Sequence, residues 1–149
     1  MKTAQEVITE KLETLLVRTH DAEKGFEKAA ENTDHLALKK YFTTKSSQRK
    51  DFANELIDEI KRLGGDFDKS GSVQGSVHRA WMDFKSYFSN DDAEAMLEEA
   101  ITGEKKAVKD YKEVIYDTSV PPSITEILQK QVAKIESGLD TIKTLEDLH

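Results

Sequence analysis

Four long stretches of this chain carry an apolar residue at every third or fourth position, the period of an amphipathic α-helix that buries one face. The first stripe is Ile8, Leu12, Leu15, Thr19, Glu23, Phe26 and Ala30; the second is Leu38, Phe42, Lys45, Arg49, Phe52, Leu56, Ile60 and Leu63. The third runs Ala93, Leu97, Ala100, Glu104, Ala107, Tyr111 and Val114, and the fourth Ile124, Leu128, Gln131, Ile135, Leu139, Ile142 and Leu145. Four one-sided helices satisfy one another by packing their stripes together. The expectation is therefore an all-α chain folded as a four-helix bundle.

Punctuation between the stripes sets the connections. The first helix should open just after Thr3 and run to about Glu31, where Asn32-Thr33-Asp34 breaks it and Asp34 is placed to cap the next. The second should run from about His35 to Leu63 and stop at Gly64-Gly65, because glycine accepts the left-handed backbone of a helix end. A link this short makes the first two helices antiparallel neighbours. Residues 66–76 are rich in Gly, Ser and Asp and read as irregular chain. Val77, Trp81, Phe84 and Phe88 then share one face of a short helix, expected at about 76–88 and lying across the bundle. Asn90-Asp91-Asp92 should cap the third long helix, and Pro121-Pro122-Ser123 should open the fourth. A bundle helix of about 29 residues spans ~43 Å, and a link of about 25 residues is long enough to carry the chain back over it. The second and third helices are therefore expected to run parallel. Two antiparallel hairpins joined by a long crossover that carries a short extra helix is the ferritin-like arrangement.

Composition narrows what such a bundle does. The 149 residues make one domain, spanning 1–149, with room for a single continuous core. Two prolines, seven glycines and 34% charged residues suit long surface helices better than a sheet. A net charge of −7 gives a nucleic-acid backbone no basic footprint to grip. No apolar run approaches the length of a membrane span, and the first residues lack the apolar centre of a signal peptide. The chain is thus expected in the cytoplasm, with no membrane or nucleic-acid partner. It contains no cysteine, which removes disulfides, thiolate metal sites and thiol catalysis together.

Chemistry is concentrated where polar residues interrupt the stripes. Glu104 stands between Ala100 and Ala107, Glu23 between Thr19 and Phe26, and Gln131 between Leu128 and Ile135, with Gln48 and Asp51 beside the second stripe. A buried carboxylate must be protonated, paired or metal-bound. For Glu104 the bland partner is Arg49 or a lysine reaching in from a neighbouring helix, and the sharp one is a metal ion. Glu27 and His20 flank Glu23 at helical spacing, although His20 also fits a partly exposed position beside Leu16. Gln131 can be satisfied by hydrogen bonds alone. A di-iron bundle takes one glutamate from each of two helices and a Glu-x-x-His pair from each of the others. Here the paired positions read Gln48-x-x-Asp51 and Gln131-x-x-Lys134, so the histidines are missing; the one Glu-x-x-His, Glu146 to His149, lies ~22 Å along the helix from Gln131. Gly71 to Ser76 lacks the strand and lysine of a phosphate loop, and His78 and Trp81 read as a structural pairing.

The runs Asp21 to Glu31, Arg62-Leu63-Gly64-Gly65, His78-Arg79-Ala80-Trp81 and Gly103-Glu104-Lys105-Lys106-Ala107 resemble a bacterial ferritin-like four-helix-bundle family of unknown function. The likeness covers about residues 10–116. It implies the bundle with its long crossover and carries no established reaction; relatives in the wider ferritin-like group include ferroxidases, an analogy of fold alone. Two readings follow. The first is a non-enzymatic bundle without a cofactor, stress-linked or assembly-forming, working as a homo-oligomer of which a dimer is the simplest form. The second is a carboxylate-bridged metal-binding protein or di-iron oxidase of ferroxidase type with a reduced ligand set, in which Glu23, Glu27, Asp51 and Glu104 hold iron or manganese. The absent histidines favour the first.

Overall fold

A computed structural model describes residues 2–65 and 93–148. Within them the chain forms four α-helices: α1 (Ala4–Asn32), α2 (Leu36–Arg62), α3 (Ala93–Ile115) and α4 (Pro122–Thr141). A single 3-10 turn, Leu145–Asp147, follows, and the described residues contain no strand. The short helix expected at 76–88, its Trp81 and the Asn90-Asp91-Asp92 cap lie outside the described residues.

Local chemistry sets the helix ends. Thr3 caps α1, its hydroxyl accepting from the Glu6 amide at 3.1 Å. Between α1 and α2 the cap differs from the sequence expectation. Asp34 stays exposed, and His35 takes the position, with Nδ1 accepting from the Leu38 amide at 3.1 Å. The reason lies in Thr33, which is buried and whose hydroxyl accepts from the His35 amide at 3.2 Å, so the chain turns one residue later. The end of α2 is as Gly64-Gly65 implies. Gly64 has φ of +80°, its amide donates to Lys61 at 3.0 Å, and Gly65 donates to Ile60 at 2.9 Å, the paired bonds of a Schellman cap.

The fourth stripe ends as a helix sooner than its spacing implies. Ile142 adopts an extended conformation, and the Lys143 and Thr144 amides both donate to the Asp147 carboxylate at 2.9 and 3.0 Å. That local bonding breaks the helix and folds the tail inward, so that Ile142, Leu145 and Leu148 pack over an apolar cluster. A straight continuation would have left that end of the interior uncovered.

The interior is in two parts. One cluster draws on all four helices and includes Leu12, Leu16, Phe52, Leu56, Tyr111, Leu128 and Ile135. The other gathers Phe26, Ala29, Leu38, Phe42, Met96, Leu97 and Ala100, with the Phe26 and Phe42 rings stacked at 6.0 Å. Thr19, Glu23, Lys45, Arg49, Glu104 and Gln131 are buried as well and belong to neither cluster.

The α2 end is held against the start of α1. Gln5 donates to the Leu63 carbonyl at 2.6 Å, and a Cβ built on Gly65 would come within 2.6 Å of the Thr9 methyl and 2.8 Å of an Ile60 methyl. Those branched side chains have no flexible tip to withdraw. Gly65→Ala should therefore lower stability by ~1–3 kcal/mol, the range for overpacking, as read by urea denaturation. Gly64→Ala, strained only by its backbone, should cost ~1–2 kcal/mol. An unchanged midpoint for Gly65→Ala would mean that the two helix ends do not pack as described.

Candidate functional site

The polar layer is built around Arg49, the largest fully buried side chain among the described residues, with 1% of its surface exposed. On α2 it shares a face with Phe42, Lys45, Phe52 and Leu56, so helical spacing sends its guanidinium inward. There Nη2 donates to Glu104 Oε1 on α3, and Nη1 donates to Gln48 Oε1. The Phe26 and Phe52 rings flank the cation, each centroid 5.7 Å from the guanidinium carbon. Arg49 is thus both paired and hydrogen-bonded, as a buried charge must be.

Lys45, one turn earlier, supplies a second cation. Its Nζ lies 3.7 Å from Glu104 Oε2 and 5.7 Å from the centre of the Tyr41 ring. Its seat also depends on α4, because a Cβ at Gly138 would lie 2.5 Å from Nζ. Burial lowers the proton affinity of Lys45, with the Glu104 charge acting against that shift. The same neighbourhood raises Tyr41 to about 12, through burial first and the Glu104 charge second. The sequence alternatives for Glu104 were arginine or an intruding lysine, and the structure supplies both. Gly138, beside the Lys45 ammonium, is a position that the sequence does not single out, since its neighbour depends on how α4 passes α2.

Gln131 is satisfied by hydrogen bonds to protein groups. Tyr111 donates to its Oε1 at 2.5 Å, while its Nε2 donates to the Phe52 carbonyl at 3.3 Å and to Glu55 at 3.1 Å. Tyr111 is raised to about 12, burial being the largest cause.

The four carboxylates considered as metal ligands do not converge. Glu23 is buried, and its Oε1 lies 3.3 Å from His20 Nδ1. Glu27 is half-exposed and 3.4 Å from Lys24. Asp51 is exposed on α2, away from the stripe. Among the described residues no three His, Asp or Glu side chains stand together as a metal cluster. Glu104 is already faced by two organic cations, which oppose a third charge of the same sign.

Glu104 also borders a cavity of about 290 Å³ between α1 and α3. Ala22, Phe26, Ala100, Gly103 and Ala107 form its apolar lining. Its polar lining is Arg18, Asp21, Glu99, Lys106 and Asp110, with Arg18 and Lys106 lying 3.0 and 3.4 Å from Asp110. Of the polar lining residues Glu104 alone is buried. Its Oε2 has no hydrogen-bond partner among the described residues.

Residues 7–117 match the family described as Domain of unknown function (DUF2383), and the chain belongs to that family. No curated protein matches the chain.

Two expectations follow from the layer. Glu104→Gln would leave Arg49 and Lys45 buried without their anion, and should cost ~3–5 kcal/mol in denaturant titration; a near-neutral effect would show that the pair is not formed in solution. The second concerns alkaline pH. Unfolded Tyr111 releases its proton near 10.0, whereas the folded protein keeps it to about 12. Between those values the folded state binds more protons, so the Tyr111 contribution is complete below pH 10 and is lost as pH rises through about 12. The loss is on the order of 2–3 kcal/mol. Unfolding free energies measured across that window should fall, and Tyr111→Phe should flatten the slope.

Proposed function

We propose that this member of the family is a ferritin-like four-helix bundle that performs no redox chemistry, with a guanidinium at the level where related bundles hold metal. One observation carries the reading: Arg49 is fully buried and hydrogen-bonded to the inward carboxylate of Glu104. A fixed arginine supplies the charge compensation that a carboxylate layer otherwise takes from metal, and it has no redox states. The alternative, iron or manganese held by Glu23, Glu27, Asp51 and Glu104 in a ferroxidase-like site, is disfavoured by the same two cations.

The topology is supported by pairs of contacts. Lys11 reaches Asp117 at 2.7 Å and Arg18 reaches Asp110 at 3.0 Å, so numbering rises along α1 as it falls along α3. Glu23 accepts from Ser46 at 2.9 Å while Gln5 meets Leu63, which gives α2 the opposite sense to α1. Helices α2 and α3 then point the same way, a sense that supports the ferritin-like arrangement. In the same reading the bundle works in the cytoplasm as a homo-oligomer, a dimer at its simplest.

Metal analysis tests the central claim. Untagged protein from cells grown with added iron and manganese should carry metal well below one ion per chain, by mass spectrometry of the elements. It should not accelerate oxygen-dependent oxidation of Fe(II) over buffer. Stoichiometric iron, with oxidation that Glu104→Gln abolishes, would replace this reading by the oxidase one.

A further inference from the structure

We propose that residues 142–148 form a two-state strap, latched over one apolar cluster by the Asp147 carboxylate and able to refold as a continuation of α4. The first support is a helix end that no backbone-breaking residue enforces. Helix α4 stops at Thr141, and Ile142 is extended, with φ of −114° and ψ of 105°. Residues 139–148 contain neither glycine nor proline, the usual causes of a stop. Leu139, Ile142 and Leu145 meanwhile continue the helical spacing of Ile135. The local sequence is compatible with helix, so another interaction prevents it.

That interaction is the turn around Asp147. Its Oδ2 accepts from the Lys143 amide at 2.9 Å, the Thr144 amide at 3.0 Å and the Thr144 hydroxyl at 3.4 Å. In a helix the same two amides would donate to the carbonyls of Leu139 and Asp140, four residues back. The carboxylate therefore competes with the helix ladder for two donors. The Asp147 and Leu148 amides close the turn, donating to the Thr144 and Leu145 carbonyls at 3.1 Å each.

Packing is the second, independent support. Ile142, Leu145 and Leu148 lie partly buried on the cluster that holds Phe26, Phe42, Met96 and Leu97, while Lys143, Thr144, Glu146 and Asp147 are exposed. At about 100° per residue, a helix would carry Leu148 about 140° around from Ile135, off the buried face. The strap thus keeps a leucine on the cluster that the helix would lift away, and the helix recovers ladder bonds that the strap gives up. States that differ by so few local interactions can be exchanged by one side chain. Refolding as helix uncovers the part of the cluster that Leu148 shields.

The test reads Cα chemical shifts of the full chain and its variants. In the native chain Ile142 and Thr144, the latter with φ of −138° and ψ of 167°, should show shifts of extended backbone. Asp147→Ala removes the acceptor and should turn the shifts of residues 142–147 to helical sign, with α1, α2 and α3 still helical. Asp147→Asn keeps an acceptor oxygen without the charge and should retain the native pattern. Leu148→Ala should lower the melting temperature by about 3 °C or more in the native chain. In the Asp147→Ala background, where Leu148 has left the cluster, its effect should fall to about half of that or less. Native shifts in Asp147→Ala, coil shifts in place of helical ones, or helical shifts in Asp147→Asn would each overturn the proposal. So would an equal loss from Leu148→Ala in both backgrounds.

Discussion

The Arg49–Glu104 pair is the interaction around which the rest of the interior is arranged. It ties α2 to α3, helices distant in sequence, through a contact between groups 1% and 3% exposed. Neither charge could be buried alone, because desolvation of an unpaired ion exceeds what one domain's packing supplies. Each element around the pair answers that requirement. Gln48 takes a second guanidinium N–H, Phe26 and Phe52 offer their faces, and Lys45 approaches the other carboxylate oxygen. The apolar clusters are the usual product of helix stripes; the charged layer needs partners of specific chemistry.

Much of that architecture is legible in the residues, and the reason is periodicity. From Ile8 to Ala30 and from Leu38 to Ile60 every stripe position is buried, since a helix of 3.6 residues per turn leaves little choice of face. Glu23, Glu104 and Gln131 were visible as inward groups by the same rule. Helix ends were read less well, because a cap depends on which neighbour is buried. Thr33 moved the α2 cap from Asp34 to His35, and Asp147, six residues beyond the end of α4, drew the chain out of the helix. Partners were the least legible. Spacing placed Glu27 one turn from Glu23, but a step of four drifts from the stripe, and Glu27 emerges half-exposed beside Lys24. Lys45 was in plain view on the second stripe, yet only the passage of α4 at Gly138 shows where its ammonium can rest.

The layer bears on chemistry through the sign of its charge. In a carboxylate bundle that works on metals, the inward acids are the excess charge and the ions are exchangeable. Here the interior cations are covalently part of the chain, and the acid they face leaves one oxygen without a hydrogen bond toward a cavity-lining position.

Gln131 gives the layer a mechanical consequence. Helices packed only through leucine and isoleucine can slide by one turn, ~5.4 Å, and still bury apolar surface. With Gln131 bonded to the Phe52 carbonyl, any such slip of α4 along α2 would strand a buried amide. The polar groups therefore act as a vernier, giving docking of the last helix one permitted register out of several that the apolar seam alone would accept.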